Sequence, residues 1–215
     1  IGASGGIGSA LAAELRARGA QVVGLSRSGE GLDITDGASV DAHLGALEGP
    51  FDGLIVASGA LEIDGAEPEK TIRAVTAQAM ADQFAVNAIG PALVLRHAAR
   101  LLPREGRSIC AVLTARVGSI GDNRIGGWTS YRAAKAAANQ IVHTTAIELA
   151  RTHPDLVCVA IHPGTVETPF TQKYLGRHPA VPADEAAQNI LSVLEGLTPG
   201  QTGGFYDWAG AQVAW

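Results

Sequence analysis

The chain has 215 residues, of which 47% are hydrophobic and 17% charged, and its formal net charge is −5 at pH 7. This length fits one domain with a single core, and the acidic balance gives no support for a nucleic-acid-binding surface. No apolar run approaches the roughly 20 residues that a membrane-spanning helix needs, so we expect no membrane partner. Cys110 and Cys158 lie in apolar runs, and no signal peptide is visible. We therefore expect reduced core thiols in a cytoplasmic protein.

The first half of the chain alternates glycine turns, apolar runs and helical stretches. Ile1–Gly8 (IGASGGIG) precedes a helical run over Ser9–Arg18, which Gly19 ends. Because the chain enters this motif at once, we expect the first strand to begin upstream of Ile1. The next predicted elements are a strand, a short extended piece, a helix and a buried strand: Gln21–Ser26, Asp33–Thr35, Ala38–Leu47 and Phe51–Ser58.

The second half continues the alternation after a polar loop over Glu62–Lys70. Two helices are predicted, Thr71–Asn87 and Pro91–Leu102, with an interruption at Gly90–Pro91 because proline lacks a backbone N–H. The remaining predictions are a strand, a glycine-rich loop, a helix, a strand, a helix and a last strand: Ser108–Thr114, Gly118–Gly127, Trp128–Ala150, Leu156–Ile161, Ala183–Leu194 and Gly204–Trp208.

Short apolar strands that alternate with helices are typical of a parallel sheet covered on both faces. The sequence therefore predicts an α/β fold, a single doubly wound Rossmann-type domain over residues 1–215. We expect about seven parallel strands in the order 3-2-1-4-5-6-7.

A glycine motif follows the predicted end of the first strand and opens a helix. Its spacing is Gly2-x-x-x-Gly6-x-Gly8. Glycine lets the backbone approach a pyrophosphate, and the helix N-terminus favours its negative charge. The spacing differs from GxGxxG, and glycine clusters also occur in plain tight turns. The order strand, glycines, helix favours a dinucleotide site.

The end of the second predicted strand bears on the choice of dinucleotide. It reads Ser26-Arg27-Ser28, at the place where an NAD site usually has an acidic residue for the ribose hydroxyls. No acidic residue stands there, and Arg27 could pair with a 2′-phosphate. The alternative is a solvated arginine at a strand end. We expect NADP(H) as the favoured cofactor, with NAD(H) as the alternative.

Tyr131 and Lys135 are four residues apart in the alanine-rich run Trp128–Ala150, so on a helix they share one face. Thr129 or Ser130 could cap its start. A phenol titrates at about 10 in water, and a nearby ammonium lowers that value. Tyr131 could then exchange a proton with an alcohol or a carbonyl. Taken alone, the pair fits a surface tyrosine and a solvated lysine better. The other motifs of the chain therefore decide whether the pair is catalytic.

Several other polar residues stand at predicted element ends. Asn87 could cap a helix, Thr114 and Ser119 could be ordinary turn hydroxyls, and His162 before Pro163-Gly164 could be structural. The remaining histidines have no metal-ligand spacing and predict no metal site: His43, His97, His143, His153 and His178.

Taken together, these motifs resemble the short-chain dehydrogenase/reductase family across nearly the whole chain. The loop RVGSIGDN and the end GFYDWAGAQVAW are most similar to the small C-factor-like and sniffer-like carbonyl reductases. The residues that carry the resemblance, in the family's order, are Gly2, Gly6, Gly8, Asp33, Ala57-Ser58-Gly59, Asn87, Tyr131, Lys135 and Pro163-Gly164.

The resemblance implies roles for these residues. Tyr131 would be the general acid/base, and Lys135 would hold the nicotinamide ribose and depress the Tyr131 pKa. Asn87 would anchor a water in the proton path. Asp33 would touch the adenine, and Thr168 the carboxamide side of the nicotinamide. The expected cofactor-binding set is Gly2, Ser4, Gly6, Ile7, Gly8, Ser26, Arg27, Asp33, Ile34, Ala57, Ser58, Gly59, Tyr131, Lys135, Pro163, Gly164, Val166 and Thr168.

The sequence departs from the family's pattern in two places. Ala57-Ser58-Gly59 replaces the usual Asn-Ala-Gly, a change that a backbone contact can survive. The family's catalytic serine, three residues before a glycine, is here Ala115, which cannot donate a hydrogen bond. Thr114 and Ser119 are the nearest replacements, and we prefer Thr114 because it ends a strand.

The resulting expectation is an NADP(H)-dependent oxidoreductase of a small carbonyl or alcohol, with Asn87, Thr114, Tyr131 and Lys135 in the catalytic set. A dinucleotide-binding signalling protein with little turnover is the alternative, which Ala115 favours. Apolar stripes on the Pro91–Leu102 and Tyr131 helices predict a homodimer or homotetramer. The segment Phe170–Pro182 should flank the substrate pocket.

Overall fold

Four parallel strands form one sheet in the computed structural model, which describes residues 1–168, 171–174 and 180–215. Neighbouring strands follow one another in chain order, and Cys110 lies opposite Cys158. The strands are Gly53–Val56 (β1), Ser108–Leu113 (β2), Leu156–His162 (β3) and Phe205–Asp207 (β4). They correspond to the last four predicted strands, in the predicted order.

The prediction of about seven strands is wrong for the described residues. The terminal amino group of Ile1 donates to the Ile55 carbonyl, and the Leu25 carbonyl accepts the N–H of Gly2. The chain around Leu25 therefore lies beside Ile1 and Ile1 beside β1, as the predicted order requires. Within the described residues, backbone hydrogen bonds join these two stretches only from Gly2 and Ala3 to Leu25, which are too few to form a ladder. In the third predicted piece, Asp33 accepts hydrogen bonds from the N–H and hydroxyl of Thr35 and forms a turn.

Seven α-helices cover the sheet within the described ranges. They are Gly6–Ala17 (α1), Gly37–Gly45 (α2), Ala77–Phe84 (α3), Gly90–Leu95 (α4), Ala98–Leu101 (α5), Thr129–Leu149 (α6) and Ala183–Gly196 (α7). Single 3₁₀ turns lie at Ile72–Ala74, Arg116–Gly118, Gln172–Tyr174 and Pro199–Gln201. Among these helices, none is both long and apolar enough to cross a membrane.

The predicted helix interruption at Gly90–Pro91 does not occur. A π-helical turn over Ala85–Ile89 joins α3 to α4 without a break. In this wider turn the Gly90 N–H bonds to the Ala85 carbonyl, five residues back, and the proline fits at the start of α4. Asn87, predicted at a helix end, lies inside this turn.

Each face of the sheet packs against its own set of helices. Val94 of α4 and Val142 of α6 pack on one face, in a cluster that contains Cys110. Leu11 of α1 and Ile190 of α7 pack on the other face, in a second cluster. The buried cysteines are free thiols, as expected, and a hydrogen bond with Cys158, together with burial, raises the pKa of Cys110. Two covered faces leave the carboxyl ends of the strands as the edge for a site.

Candidate active site

The predicted site residues gather at the carboxyl edge of the sheet. Ala57, Ser58 and Gly59 directly follow β1, Thr114 follows β2, and Pro163 and Gly164 follow β3. The Nζ of Lys135 donates a 3.2 Å hydrogen bond to the carbonyl of Leu113, the last residue of β2. This contact ties the start of α6 to the strand ends.

The glycine motif makes a close turn against the residues that follow β1. Gly2 has φ +84°, and a Cβ there would lie 2.8 Å from the Ser58 nitrogen. A Cβ on Gly8 would overlap the carbonyl oxygen of Gly2. No side chain in the described part of the chain caps α1 at Gly5. The unshielded helix start beside a glycine turn fits a pyrophosphate group.

Other members of the predicted cofactor set lie near this turn. Thr168 approaches the start of α1 so closely that a Cβ on Gly6 would lie 2.5 Å from its methyl group. Ser4 is exposed on this turn, Ile7 is half-buried in the first turn of α1, and Val166 is buried. Residues 169–170 and 175–179 lie outside the described residues, and they include Phe170 and His178 of the expected pocket segment Phe170–Pro182.

The predicted adenine contact, Asp33, is held by its neighbours. Hydrogen bonds from the hydroxyl and N–H of Thr35 lower the Asp33 pKa, with a smaller contribution from the charge of Arg27. Ile34 is buried and packs against Gly90, where an added Cβ would lie 2.7 Å from its Cδ1. Asp33 is therefore an anion whose carboxylate is held in place by Thr35.

The end of the second predicted strand holds a carboxylate that the sequence pattern missed. Ser26 donates to Oε2 of Glu30 from its N–H at 2.8 Å and from its hydroxyl at 3.0 Å. Ser26-Arg27-Ser28 itself holds no acidic residue, as the sequence shows, but the turn over residues 27–30 brings the Glu30 carboxylate back to Ser26. Arg27 is exposed on the same turn.

Tyr131 and Lys135 lie on the buried face of α6, and both side chains are enclosed. The Lys135 Nζ lies 5.8 Å from the centre of the Tyr131 ring. A Cβ on Gly59 would lie 3.3 Å from this Nζ and 3.1 Å from Oδ1 of Asn87. Lys135 and Asn87 therefore meet at Gly59, and the alternative of an exposed pair does not hold.

Burial dominates the titration of the pair. It lowers the pKa of Lys135 to about 8 and raises the pKa of Tyr131 above its ordinary value. The expectation that Lys135 depresses the Tyr131 pKa is therefore not met in this structure. Desolvation of the phenolate outweighs the ammonium at this separation, so Tyr131 is a neutral phenol at pH 7. A neutral phenol is a proton donor.

The Asn87 side chain is fully engaged within the protein. Its Oδ1 accepts the Ala60 N–H, and its Nδ2 donates to the Ala60 carbonyl and to Oε1 of Gln83. The donor that would normally bond to the Asn87 carbonyl is the N–H four residues on, and Pro91 has none. The Asn87 amide therefore has no N–H left to donate to a water, and its backbone carbonyl receives none from Pro91.

Thr114 and Ser119 differ in what their hydroxyls contact. Both are buried, but Oγ of Ser119 accepts the Asp122 N–H at 3.0 Å and stabilises a turn. Oγ1 of Thr114 has no hydrogen-bond partner among the described residues. An unpartnered buried hydroxyl at a strand end is costly unless a ligand uses it. This supports the preference for Thr114.

Sequence reasoning missed Glu69, which caps the helix that carries Tyr131. The N-cap residue of α6 is Trp128, in the left-handed conformation with φ 52°, and not Thr129 or Ser130. The Glu69 carbonyl accepts the Trp128 N–H at 2.6 Å, and its carboxylate accepts the N–H and the hydroxyl of Ser130. A cap supplied by a residue 61 positions away leaves no local signal.

Aromatic rings surround the start of α6. Trp128 makes edge-to-face contacts with Tyr131 and Tyr174, at ring-centre distances of 6.2 and 5.4 Å. The Tyr174 hydroxyl donates to Glu62 at 3.0 Å. His162 is a further polar group near this edge, and burial lowers its pKa to about 4. Among the described residues, no His, Cys, Asp and Glu cluster could hold a metal ion.

Comparison with known proteins agrees with the geometry. The family model described as short chain dehydrogenase matches residues 1–177. The 1-hydroxy-2-glutathionyl-2-methyl-3-butene dehydrogenase of Rhodococcus sp. (strain AD45) is 28% identical over 100% of this chain and 97% of its own. C-signal of Myxococcus xanthus is 37% identical, over 63% of this chain and 78% of its own. A crystal structure titled as a short-chain dehydrogenase/reductase from Burkholderia multivorans with bound NADP is 32% identical, with TM-score 0.83 over 100% of this chain and 96% of that one.

Proposed function

The chain belongs to the short-chain dehydrogenase family, and we propose that it reduces a small aldehyde or ketone with NADPH, or oxidises the alcohol in reverse, with Tyr131 as the proton donor. The observation that carries this proposal is the hydrogen bond from Lys135, one helical turn from Tyr131, to the last residue of β2, which the buried and unpartnered Thr114 hydroxyl directly follows. The NADP named in the Burkholderia structure supports the choice of dinucleotide.

The residues of this chain fit the proposed cofactor. The glycine turn and the start of α1 would hold its pyrophosphate, and Asp33 lies at the rim where the adenine is expected. When bound, NADPH supplies the hydride. The protein must therefore bind and orient the carbonyl and provide its proton.

Burial raises the Tyr131 pKa and so makes the phenol a weaker acid, but Tyr131 keeps its proton at pH 7 and can donate it to the more basic alkoxide that forms as the carbonyl is reduced. As the carbonyl oxygen gains negative charge, the hydroxyls of Tyr131 and Thr114 are the donors that would stabilise it. Lys135 would replenish the proton on Tyr131, through water held by the Asn87 carbonyl. Enclosure of Tyr131 and Lys135 excludes bulk water from this step.

A second candidate function is dinucleotide-dependent signalling without significant turnover. Ala115, at the position where the family has serine, is the observation that favours it. The similarity to C-signal is consistent with this alternative.

Measurement of NADPH consumption with a panel of small aldehydes and ketones tests the proposal. The expected result is carbonyl-dependent oxidation with formation of the matching alcohol. Binding of NADPH without turnover of any carbonyl would favour the signalling function. If no dinucleotide binds, both candidates are excluded.

A further inference from the structure

Glu30 takes up the hydrogen-bond donors at the place where a 2′-phosphate is expected. Ser26 is 5% exposed, and both its N–H and its hydroxyl donate to the same oxygen, Oε2 of Glu30. The Ser26 hydroxyl in turn accepts the Gly29 N–H at 3.1 Å. The donors of Ser26 thus form a small anion-binding site, and the Glu30 carboxylate occupies it.

Its position relative to the glycine motif identifies what this site would otherwise bind. Leu25, the residue before Ser26, accepts hydrogen bonds from Gly2 and Ala3 at 2.7 and 3.2 Å. Ser26 therefore adjoins the phosphate-binding turn, about 20 residues along the chain from its last glycines. In dinucleotide-binding folds this is the end of the second strand, which faces the 2′ position of the adenosine ribose.

We propose that Glu30 opposes the 2′-phosphate and thereby sets the preference between NADPH and NADH. The inference rests on the proposed use of NADPH. A carboxylate and a phosphate are both anions that require N–H and O–H donors, and the two donors of Ser26 cannot serve both. NADPH must displace Glu30 or bind against its charge, whereas NADH places only a hydroxyl there.

Arg27 and Glu30 act in opposite directions in this account. The Arg27 guanidinium lies exposed on the same turn and attracts the phosphate, while the Glu30 charge repels it. The Glu30 carbonyl lies 2.9 Å from Nε2 of His43, a contact that holds the turn to α2 through the backbone. Replacement of the Glu30 side chain leaves that contact in place, so the turn should keep its shape.

Titration calorimetry of NADPH and NADH with the parent and Glu30→Gln tests the proposal without any turnover. We expect the variant to bind NADPH about three- to tenfold more tightly, within the range of a single charge interaction. The dissociation constant for NADH should fall by less than that for NADPH, or rise. Glu48→Gln is the matched control, because it removes the same charge from an exposed residue before the opposite, amino end of β1, and it should alter neither constant by more than about twofold.

A gain in affinity is an informative result, since damage to the fold would weaken binding. Unchanged or weaker NADPH binding by Glu30→Gln would overturn the proposal, as would an equal gain with Glu48→Gln. Arg27→Ala separates this failure from failure of the proposed function. If Arg27→Ala loses at least about tenfold in NADPH affinity while Glu30→Gln is unchanged, NADPH use stands and the role of Glu30 does not. If neither the parent nor Glu30→Gln binds NADPH, the proposed cofactor and the role of Glu30 are both contradicted.

Discussion

At the scale of single residues, we propose that the Thr114 hydroxyl donates to the substrate carbonyl in place of the missing serine. Its hydroxyl is buried and unpartnered among the described residues, whereas Ser119 already accepts a hydrogen bond. Loss of one donor to a developing oxyanion typically costs about 10²–10³ in turnover. Thr114→Val, which is close to threonine in shape, should therefore lower kcat by that order with little change in NADPH affinity, as steady-state kinetics and calorimetry would show.

Ser119→Ala is the matched control for this substitution. It removes a hydroxyl from the same segment but only weakens a turn, so kcat should fall by less than about threefold. A fully active Thr114→Val beside an inactive Ser119→Ala would reverse the assignment and leave the role of Tyr131 intact.

Lys135 offers a test in stability and pH. Its folded-state pKa of about 8 lies below the ordinary 10.5, so between these values the unfolded chain holds a proton that the folded chain lacks. The free energy of unfolding therefore rises with pH across this window, and at pH 7 the buried ammonium costs roughly 3 kcal/mol. Lys135→Met should remove this cost but leave the Leu113 carbonyl without the Lys135 donor, for a net gain of up to about 2 kcal/mol with loss of activity.

Urea denaturation at several pH values checks this prediction. The stability advantage of Lys135→Met over the parent should be largest at and below pH 7 and should shrink as the pH rises from about 8 to 10.5. An advantage that stays constant across that range would show that Lys135 is not the group responsible.

At the scale of elements, Glu69 should stabilise the start of α6. Glu69→Gln keeps the size of the side chain but places an amide N–H against the donors of Ser130. A buried donor left unsatisfied costs about 1–3 kcal/mol, which urea denaturation should detect. Glu67→Gln, an exposed glutamate of the same loop, should change stability by less than about 0.5 kcal/mol. Equal effects of the two substitutions would exclude a specific capping role.

The sequence predicts those elements that have local signals. Apolar runs locate β1 to β4, and Gly19, with its positive φ, ends α1 as predicted. The misplaced features depend on tertiary contacts. Glu69 caps α6 from a loop 61 residues earlier in the chain. The π-helical turn lets the helix continue into α4, where Pro91 lies at the start. Glu30 folds back onto Ser26 through a turn whose residues indicate only that a turn exists.

The pKa values of Tyr131 and Lys135 are the other feature that their spacing in the sequence cannot predict. The i, i+4 spacing correctly places Tyr131 and Lys135 on one face of a helix. Whether the pair is solvated or enclosed depends on what covers that face. Enclosure reverses the expected direction of the Tyr131 pKa shift.

At the scale of the whole molecule, we expect a symmetric dimer or tetramer formed through the helices at Pro91–Leu102 and α6. Ile147 on α6 is 52% exposed, and Ile89, in the π-helical turn directly before α4, is 49% exposed. Light scattering at micromolar concentration should give at least twice the monomer mass, and Ile147→Glu should shift the population towards monomer. Val23→Glu, an equally exposed apolar residue outside both helices, should not. A monomer mass for the parent would contradict the prediction.

We propose that this protein reduces a carbonyl with hydride from NADPH and with Tyr131 as the proton donor. The most direct measurement is carbonyl-dependent NADPH oxidation by the parent and by Tyr131→Phe, with NADPH affinity determined in parallel. We expect the parent to oxidise NADPH with the carbonyl. The kcat of Tyr131→Phe should be lower by a factor of about 10²–10⁴, while its NADPH affinity should change by less than about threefold. Full activity of Tyr131→Phe would contradict it.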